Sequence, residues 1–228
     1  MIVRVIMTDQ IHFLKMVIRL LMCGTFNPFT ISHLRMLEVA RHYFKPEHEV
    51  EIIVSPVNDR YCKQGMLPSH HRIAMIEHSL PNWLSPDKVY CDSWECEQLN
   101  WNKTVDVIAH FESNSNNSKP ILLIGYDILE IMCNPSIWSF EDVLHILQNN
   151  RIAVYYPRDL LRATLIFEKF SRHFSLSSNN DRLIKLEDIA NFNIRSTYVR
   201  AAVNQKLPMK YLISEEVIEY IRDNKLYS

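Results

Sequence analysis

"VIRLLMCGTFNPFTISHLRMLEVARHYF", Val17 to Phe44, sets an apolar run against a helical pattern and places one of the chain's three glycines near the join. "VIRLLMC" is short and apolar enough to be a buried strand. Leu34, Leu37, Ala40 and Phe44 then recur near the helical period, so that Arg35, Glu38 and Arg41 are expected to face water. The same alternation continues. "VEIIVS" (50–55), "KVYCD" (88–92), "PILLIG" (120–125) and "RIAVYY" (151–156) are apolar runs separated by helix-like segments. Strands alternating with helices predict an α/β fold, a doubly wound parallel sheet with helices on both faces.

The 228 residues, 47% of them apolar, suffice for one sizeable core, and neither a repeat nor a linker divides them. A helix is expected from Ser69 to Leu80, burying Ile73, Ile76 and Leu80. Two more are expected near the end of the chain, Ser196 to Val203 and Ser214 to Asn224, the latter with Ser214 as N-cap and Glu215 and Glu216 in its first turn. "SNSNNSKP" (113–120) is polar and turn-rich, a surface loop. Residues 1–19 read as an extension leading into the first strand, with 20–228 as the domain. Arg4, Asp9, Lys15 and Arg19 interrupt any membrane span there. The stretch is also weakly amphipathic and mostly basic, as mitochondrial presequences are, although Asp9 and the shortage of serines oppose that.

A formal net charge of −1 without basic runs lacks the footprint of a dedicated nucleic-acid binder and favours small-molecule partners. Five scattered cysteines without a CxxC pair indicate neither a disulfide framework nor a zinc knuckle, and fit a reducing compartment. No basic cluster suggests nuclear import, so the expected location is the cytoplasm, with the mitochondrion as alternative.

In an open parallel sheet, ligands gather beyond the carboxyl ends of the strands. Five loops are expected to converge there: Gly24–Phe26, Ser55–Asp59, Asp92–Glu95, Gly125–Asp127 and Pro157–Arg158. Gly24 allows close backbone approach, and the helix entered near Thr30 is expected to offer free N–H groups to a phosphate. His33 in its first turn can donate to an anionic oxygen, and Thr30 can cap the helix or bind phosphate. Neither GxxxxGK[ST] nor GxGxxG occurs. Adjacent His70 and His71 lack the i, i+4 spacing of paired ligands, so no protein-bound metal is expected.

What remains, G-x-F-x-P-x-T-x-x-H, resembles the nucleotidylyltransferase superfamily, whose signature pairs a glycine turn with [HT]-x-G-H; Ser32 stands where that glycine would be. The chain resembles most closely the eukaryotic nicotinamide/nicotinate mononucleotide adenylyltransferases, which are Rossmann-like. The likeness runs through "CGTFNPFTISHLRMLEVAR", "SPVNDRYCKQGM", "SHHRIAM", "DSWECEQLNW", "LLIGYDIL" with "PSIW", "IRSTYVRAAV" and "KYLISEEVIEYIRDNKLY", from about Leu20 onward. Tyr126 replaces an alanine of the family pattern and Arg195 a serine.

The resemblance implies transfer of the adenylyl group of ATP to nicotinamide or nicotinic acid mononucleotide, giving NAD or its deamido form and pyrophosphate. It implies catalytic roles for His33, Lys63 and Arg200. ATP would meet Gly24, Thr25, Phe26, Thr30, His33, Ser196, Thr197 and Arg200. The mononucleotide or dinucleotide would meet Lys63, Trp94, Gly125, Asp127, Ile137, Trp138 and Arg158, with Trp94 and Trp138 stacking on the pyridine ring. Trp83 and Trp101 lack family support and read as core or surface anchors. Mg²⁺ would arrive on ATP, and self-association is implied as well. The alternatives are another transferase of the superfamily, for which the two tryptophans have no purpose, or a binding module without catalysis, which has no need of both His33 and Arg200.

Overall fold

β1 (Val17–Gly24) lies at the centre of the sheet because both of its faces are apolar. Leu20 and Met22 enter the cluster on one side of the sheet, Leu21 the cluster on the other. Burial on both faces is the condition of a parallel interior strand. In the computed structural model, which describes residues 16–80, 89–114, 118–158, 161–177, 180–190 and 192–227, the strand begins three residues before Leu20. Residues 1–15 of the N-terminal stretch and Trp83 lie outside the described residues.

The chain runs β1, α1 (Ile31–Phe44), β2 (Glu49–Pro56), a 3-10 turn (Asp59–Tyr61), α2 (Ser69–Ser79), β3 (Val89–Cys91), α3 (Trp94–Glu97) and α4 (Thr104–Ser113). It continues through β4 (Ile121–Gly125), α5 (Tyr126–Met132), α6 (Phe140–Asn149), β5 (Arg151–Pro157), α7 (Leu161–His173), β6 (Leu183–Asp188), α8 (Ser196–Asn204) and α9 (Glu215–Asp223). The strand order is β3-β2-β1-β4-β5-β6, all neighbours parallel. This is the doubly wound Rossmann order, in which the direction of strand addition reverses between β1 and β4.

Helices cover both faces. α1 packs Leu34, Leu37, Ala40 and Phe44 on the first cluster, while α4, α5, α6 and α7 cover the second with Phe111, Leu129, Ile146 and Phe170. α9 joins α2 and α8 in a third cluster around Met75, Val199 and Val217. Ser214 caps α9 as expected, its hydroxyl accepting from the Val217 N–H. In α2 the buried face is Arg72, Met75, Ile76 and Ser79, with Ile73 only partly covered.

β6 is the strand that the apolar pattern does not announce. At the sheet edge, "LIKLED" needs apolar cover only in part, and Lys185 and Glu187 remain exposed. It gives Arg35 a partner that the helical spacing does not foresee, while the side chain stays 35% exposed. The Arg35 guanidinium grips both oxygens of the buried Asp188 at 2.8 and 2.5 Å, and Tyr155 Oη donates to the same carboxylate at 2.8 Å. Arg35, then Tyr155, hold Asp188 down to about 2.

Candidate active site

β1 and β4 pair only at Leu20–Ile121 and Leu21–Leu122. Beyond those two pairs their carboxyl ends flank a cleft of about 410 Å³, lined by Cys23 and Gly24 from β1 and by Ile124 and Gly125 from β4. The cleft thus sits at the point where the strand order reverses.

The loop after β1 is shaped by aromatic packing. A Cβ on Gly24 would stand 3.0 Å from two ring atoms of Phe26, so any larger residue would have to push back the Phe26 ring that folds over it. That places the reason inside the protein, although Gly24 also lines the cleft. Phe26 takes a left-handed backbone (φ 46°), and its ring meets His33 edge-on while Phe29 stacks on the other side of the imidazole.

His33 is the third residue of α1, the position from which a capping-box side chain reaches back. Its Nδ1 accepts the Thr30 backbone N–H at 3.0 Å. Nδ1 is therefore unprotonated, and Nε2 carries the proton. Burial holds the imidazole down to about 4, so it stands as a neutral donor. Thr30 itself is buried beneath the ring, its hydroxyl 2.8 Å from Nδ1 and donating to the Ile194 carbonyl at 3.2 Å. The Ile31 N–H donates to the Leu212 carbonyl. The expected row of free N–H groups at the start of α1 is therefore largely spent on protein.

α8 supplies the amino terminus that α1 does not. Ser196 and Thr197 open the helix, both line the cleft, and among the described residues neither backbone N–H has a protein acceptor. α8 is fixed to the β1–α1 loop by Ser196 Oγ donating to the Pro28 carbonyl and Arg200 Nη1 donating to the Asn27 carbonyl, both at 2.8 Å. Asn27, buried, also donates to the Gly65 carbonyl and accepts from Tyr227 Oη, so the 62–67 segment, the start of α1 and the chain's end share one hub. That segment brings exposed Lys63 to the cleft.

Arg72 organises the same region from below. It is fully buried, its guanidinium bonding the carbonyls of Leu67, Thr25 and Val57 and the carboxylate of Asp59. Nothing local in the sequence marks it, because an arginine in a helix ordinarily reads as solvated. Nearby, buried Glu95 accepts from Ser55 Oγ at 3.2 Å, and burial raises its carboxyl to about 7.

The structure brings Gly24, Thr25, Phe26, His33, Lys63, Gly125, Asp127, Ser196, Thr197 and Arg200 around one cleft. Thr30, Trp94, Ile137, Trp138 and Arg158 do not line it. The expected convergence of five loops is thus narrower than the pattern suggests, because the sheet order puts β3 two strands away from the β1–β4 gap. Trp94 stacks on His110 at 3.7 Å, and Trp138 packs against the same core cluster as Trp94. Ile137 is exposed, and Arg158 pairs with Glu187 of β6. Trp101 is exposed and tilts against Tyr61.

A family model for cytidylyltransferase-like proteins matches residues 21–202. The nicotinamide/nicotinic acid mononucleotide adenylyltransferase of Arabidopsis thaliana is 32% identical over 225 residues, 94% of this chain and 91% of the plant protein. Enzyme 2 of that name from Caenorhabditis elegans is 31% identical over 92% of this chain and 97% of its own length. The chain belongs to this adenylyltransferase family. It spans 56% of the length of Saccharomyces cerevisiae enzyme 1, to which it is 30% identical. A Plasmodium falciparum nicotinic acid mononucleotide adenylyltransferase, solved with NaAD, shares the fold at a TM-score of 0.69 and 17% identity, over 93% of this chain and 97% of that one.

Two of the departures from the adenylyltransferase pattern acquire a place in the structure. Ser32 clasps the segment before α8, its hydroxyl donating to the Phe192 carbonyl at 3.1 Å and accepting the Ile194 N–H at 2.8 Å. Tyr126 opens α5 and lines the cleft beside Asp127, whose Oδ1 folds to 2.7 Å from where a Cβ on Gly125 would stand. At that distance only glycine leaves the carboxylate in place.

Proposed function

We propose that this chain transfers the adenylyl group of ATP to nicotinamide or nicotinic acid mononucleotide, forming NAD or its deamido analogue and pyrophosphate. The observation that carries the reading is His33. Its Nδ1 is held by the Thr30 N–H, and its Nε2–H belongs to a side chain lining the cleft that α8 and Arg200 also line. A neutral donor, a helix amino terminus and a guanidinium around one volume make a site for a polyphosphate.

The attacking group is the 5′-phosphate of the mononucleotide, already largely ionised near neutrality, so the reaction asks for no strong general base. It asks for two anions to be aligned and their repulsion to be reduced. His33 Nε2–H donates to a non-bridging oxygen of the α-phosphate as charge builds there. Arg200 and the Ser196 and Thr197 N–H groups hold the leaving pyrophosphate, and Lys63 approaches from the 62–67 segment to neutralise the incoming phosphate. Because the imidazole is neutral, it stabilises charge by hydrogen bonding rather than as a cation.

Asp127 is the carboxylate lining the cleft, and among the described residues no group of three or more His, Cys, Asp or Glu is placed to hold a metal. A single carboxylate makes no cage for a metal ion, so Mg²⁺ arrives on ATP, carried by its phosphate oxygens and keeping its waters, and MgATP is the substrate. Trp94 and Trp138 are assigned to the pyridine ring, Trp94 with one face already occupied by His110. Ile137 and Arg158 stay with the mononucleotide side of the assignment, and Gly24, Thr25, Phe26 and Thr30 with the ATP side.

The test is to incubate the purified chain with ATP, Mg²⁺ and each mononucleotide in turn, resolving products by chromatography. Dinucleotide with stoichiometric pyrophosphate is the expected result. ATP bound without product from either mononucleotide would overturn the reading in favour of a binding module.

A further inference from the structure

Arg195 stands immediately before α8 as its N-cap residue and lines the cleft. Its guanidinium lies across the cleft mouth from Asp127 in the first turn of α5, Nη2 to Oδ2 at 4.0 Å, with both side chains nearly half exposed, 49% and 43%. Its Nε donates to Asn193 Oδ1 at 3.2 Å, which aims the planar group along the mouth. Other arginines of the region are committed. Arg72 spends its guanidinium on three carbonyls and Asp59, Arg35 on Asp188, and Arg200 gives one nitrogen to Asn27. An exposed pair at 4.0 Å is worth little, whereas a guanidinium on a phosphate makes two parallel charge-assisted bonds.

We propose that Arg195 is a further polyphosphate-binding residue, held loosely by Asp127, and that a nucleoside triphosphate draws it from the carboxylate onto the phosphates beyond the α position. Withdrawing the guanidinium leaves Asp127, poised over Gly125, free to accept from a ribose hydroxyl of the mononucleotide. The Arg195–Asp127 exchange therefore couples the two substrates. Triphosphate binding strengthens mononucleotide binding, and by linkage the reverse holds to the same factor. The proposal rests on the adenylyl-transfer reading only for the identity of the second substrate.

Calorimetric titration of the full chain with ATP and with AMP, both with Mg²⁺, tests it. Arg195→Ser should weaken ATP binding about tenfold or more, the range of a charge-assisted hydrogen bond, and change AMP binding by less than about twofold. Asp127→Asn should tighten ATP, and that gain should vanish in the Arg195→Ser background. Equal losses for ATP and AMP would mean a distorted nucleoside pocket and overturn the proposal, as would unchanged ATP binding in Arg195→Ser. No effect of Asp127→Asn would overturn the exchange. The titrations need no turnover, so a chain that binds ATP in this pattern yet makes no dinucleotide would sink adenylyl transfer while leaving the role of Arg195 supported.

Discussion

His33 has two ring nitrogens in different settings, Nδ1 in the helix cap and Nε2 on a side chain that lines the cleft, and substitutions can separate them. His33→Ala removes both the Nδ1 acceptor for the Thr30 N–H and the Nε2–H donor in the cleft. His33→Glu keeps an acceptor at the capping-box position but offers no donor. Losing the cap costs about 1 kcal/mol of stability, so urea denaturation should place the Glu variant about that much above the Ala variant at pH 7. Losing one preorganised donor to a developing anion costs about 10²–10³ in kcat, which both variants should show. The imidazole falls from 6.5 to about 4. A histidine with a depressed folded value contributes stability fully above its unfolded value, and that contribution is lost as pH falls from about 6.5 to 4. The full shift is worth roughly 3 kcal/mol, so wild type should lose up to that much stability relative to His33→Ala over this interval. The reasoning is refuted if His33→Ala keeps kcat within threefold of wild type. A wild-type kcat that falls as pH rises through about 6.5, with that fall abolished in His33→Glu, would show instead that the group works as a cation.

Two other expectations follow from the same geometry. Asp188 drops from 3.8 to about 2 on pairing with Arg35 and Tyr155, and is buried; its contribution of about 2 kcal/mol is present above pH 4 and lost as pH falls toward 2. Asp188→Asn should therefore destabilise the chain at pH 7 with a gap that closes by pH 2 in urea titrations, and a gap constant with pH would remove the ion pair as its cause. Trp94→Leu should raise KM for the mononucleotide about thirtyfold, the worth of a desolvated cation–π contact of about 2 kcal/mol, with ATP affinity unaltered by calorimetry. Equal loss for both substrates would place Trp94 in the core alone.

Strands β1, β2, β4 and β5 were legible because interior parallel strands must be apolar on both faces, which leaves runs such as "VEIIVS" that periodicity detects, while the edge strand β3 was legible only as the short run "KVYCD". β6 was not, because an edge strand buries only part of itself, and its anchor is an ion pair. Arg35 illustrates the limit. On α1 its spacing matches Glu38 and Arg41, yet its partner Asp188 is 153 residues away, and no local pattern encodes that meeting. Arg72 was hidden for the same reason, since three of its acceptors are carbonyls, which every residue has.

The candidate site divides along the same line. Residues whose chemistry is scarce, the histidine, the glycines and the cations, stood out by type and order, and His33, Gly24, Gly125, Lys63 and Arg200 meet at one cleft. The wiring did not, because it runs through backbone groups and neutral side chains. Thr30 to Ile194, Ser32 to Phe192, Asn27 to Tyr227 and Ser196 to Pro28 each tie the β1–α1 turn to the last 40 residues of the chain. This wiring decides which helix terminus is available. Because Thr30 and Ile31 spend their N–H groups on His33 and Leu212, α1 contributes a locked imidazole rather than bare amides, and the bare amides come from α8. A donor whose tautomer is fixed by the helix that carries it needs no reorientation when charge develops, and that preorganisation is what phosphoryl transfer between two anions requires of a protein.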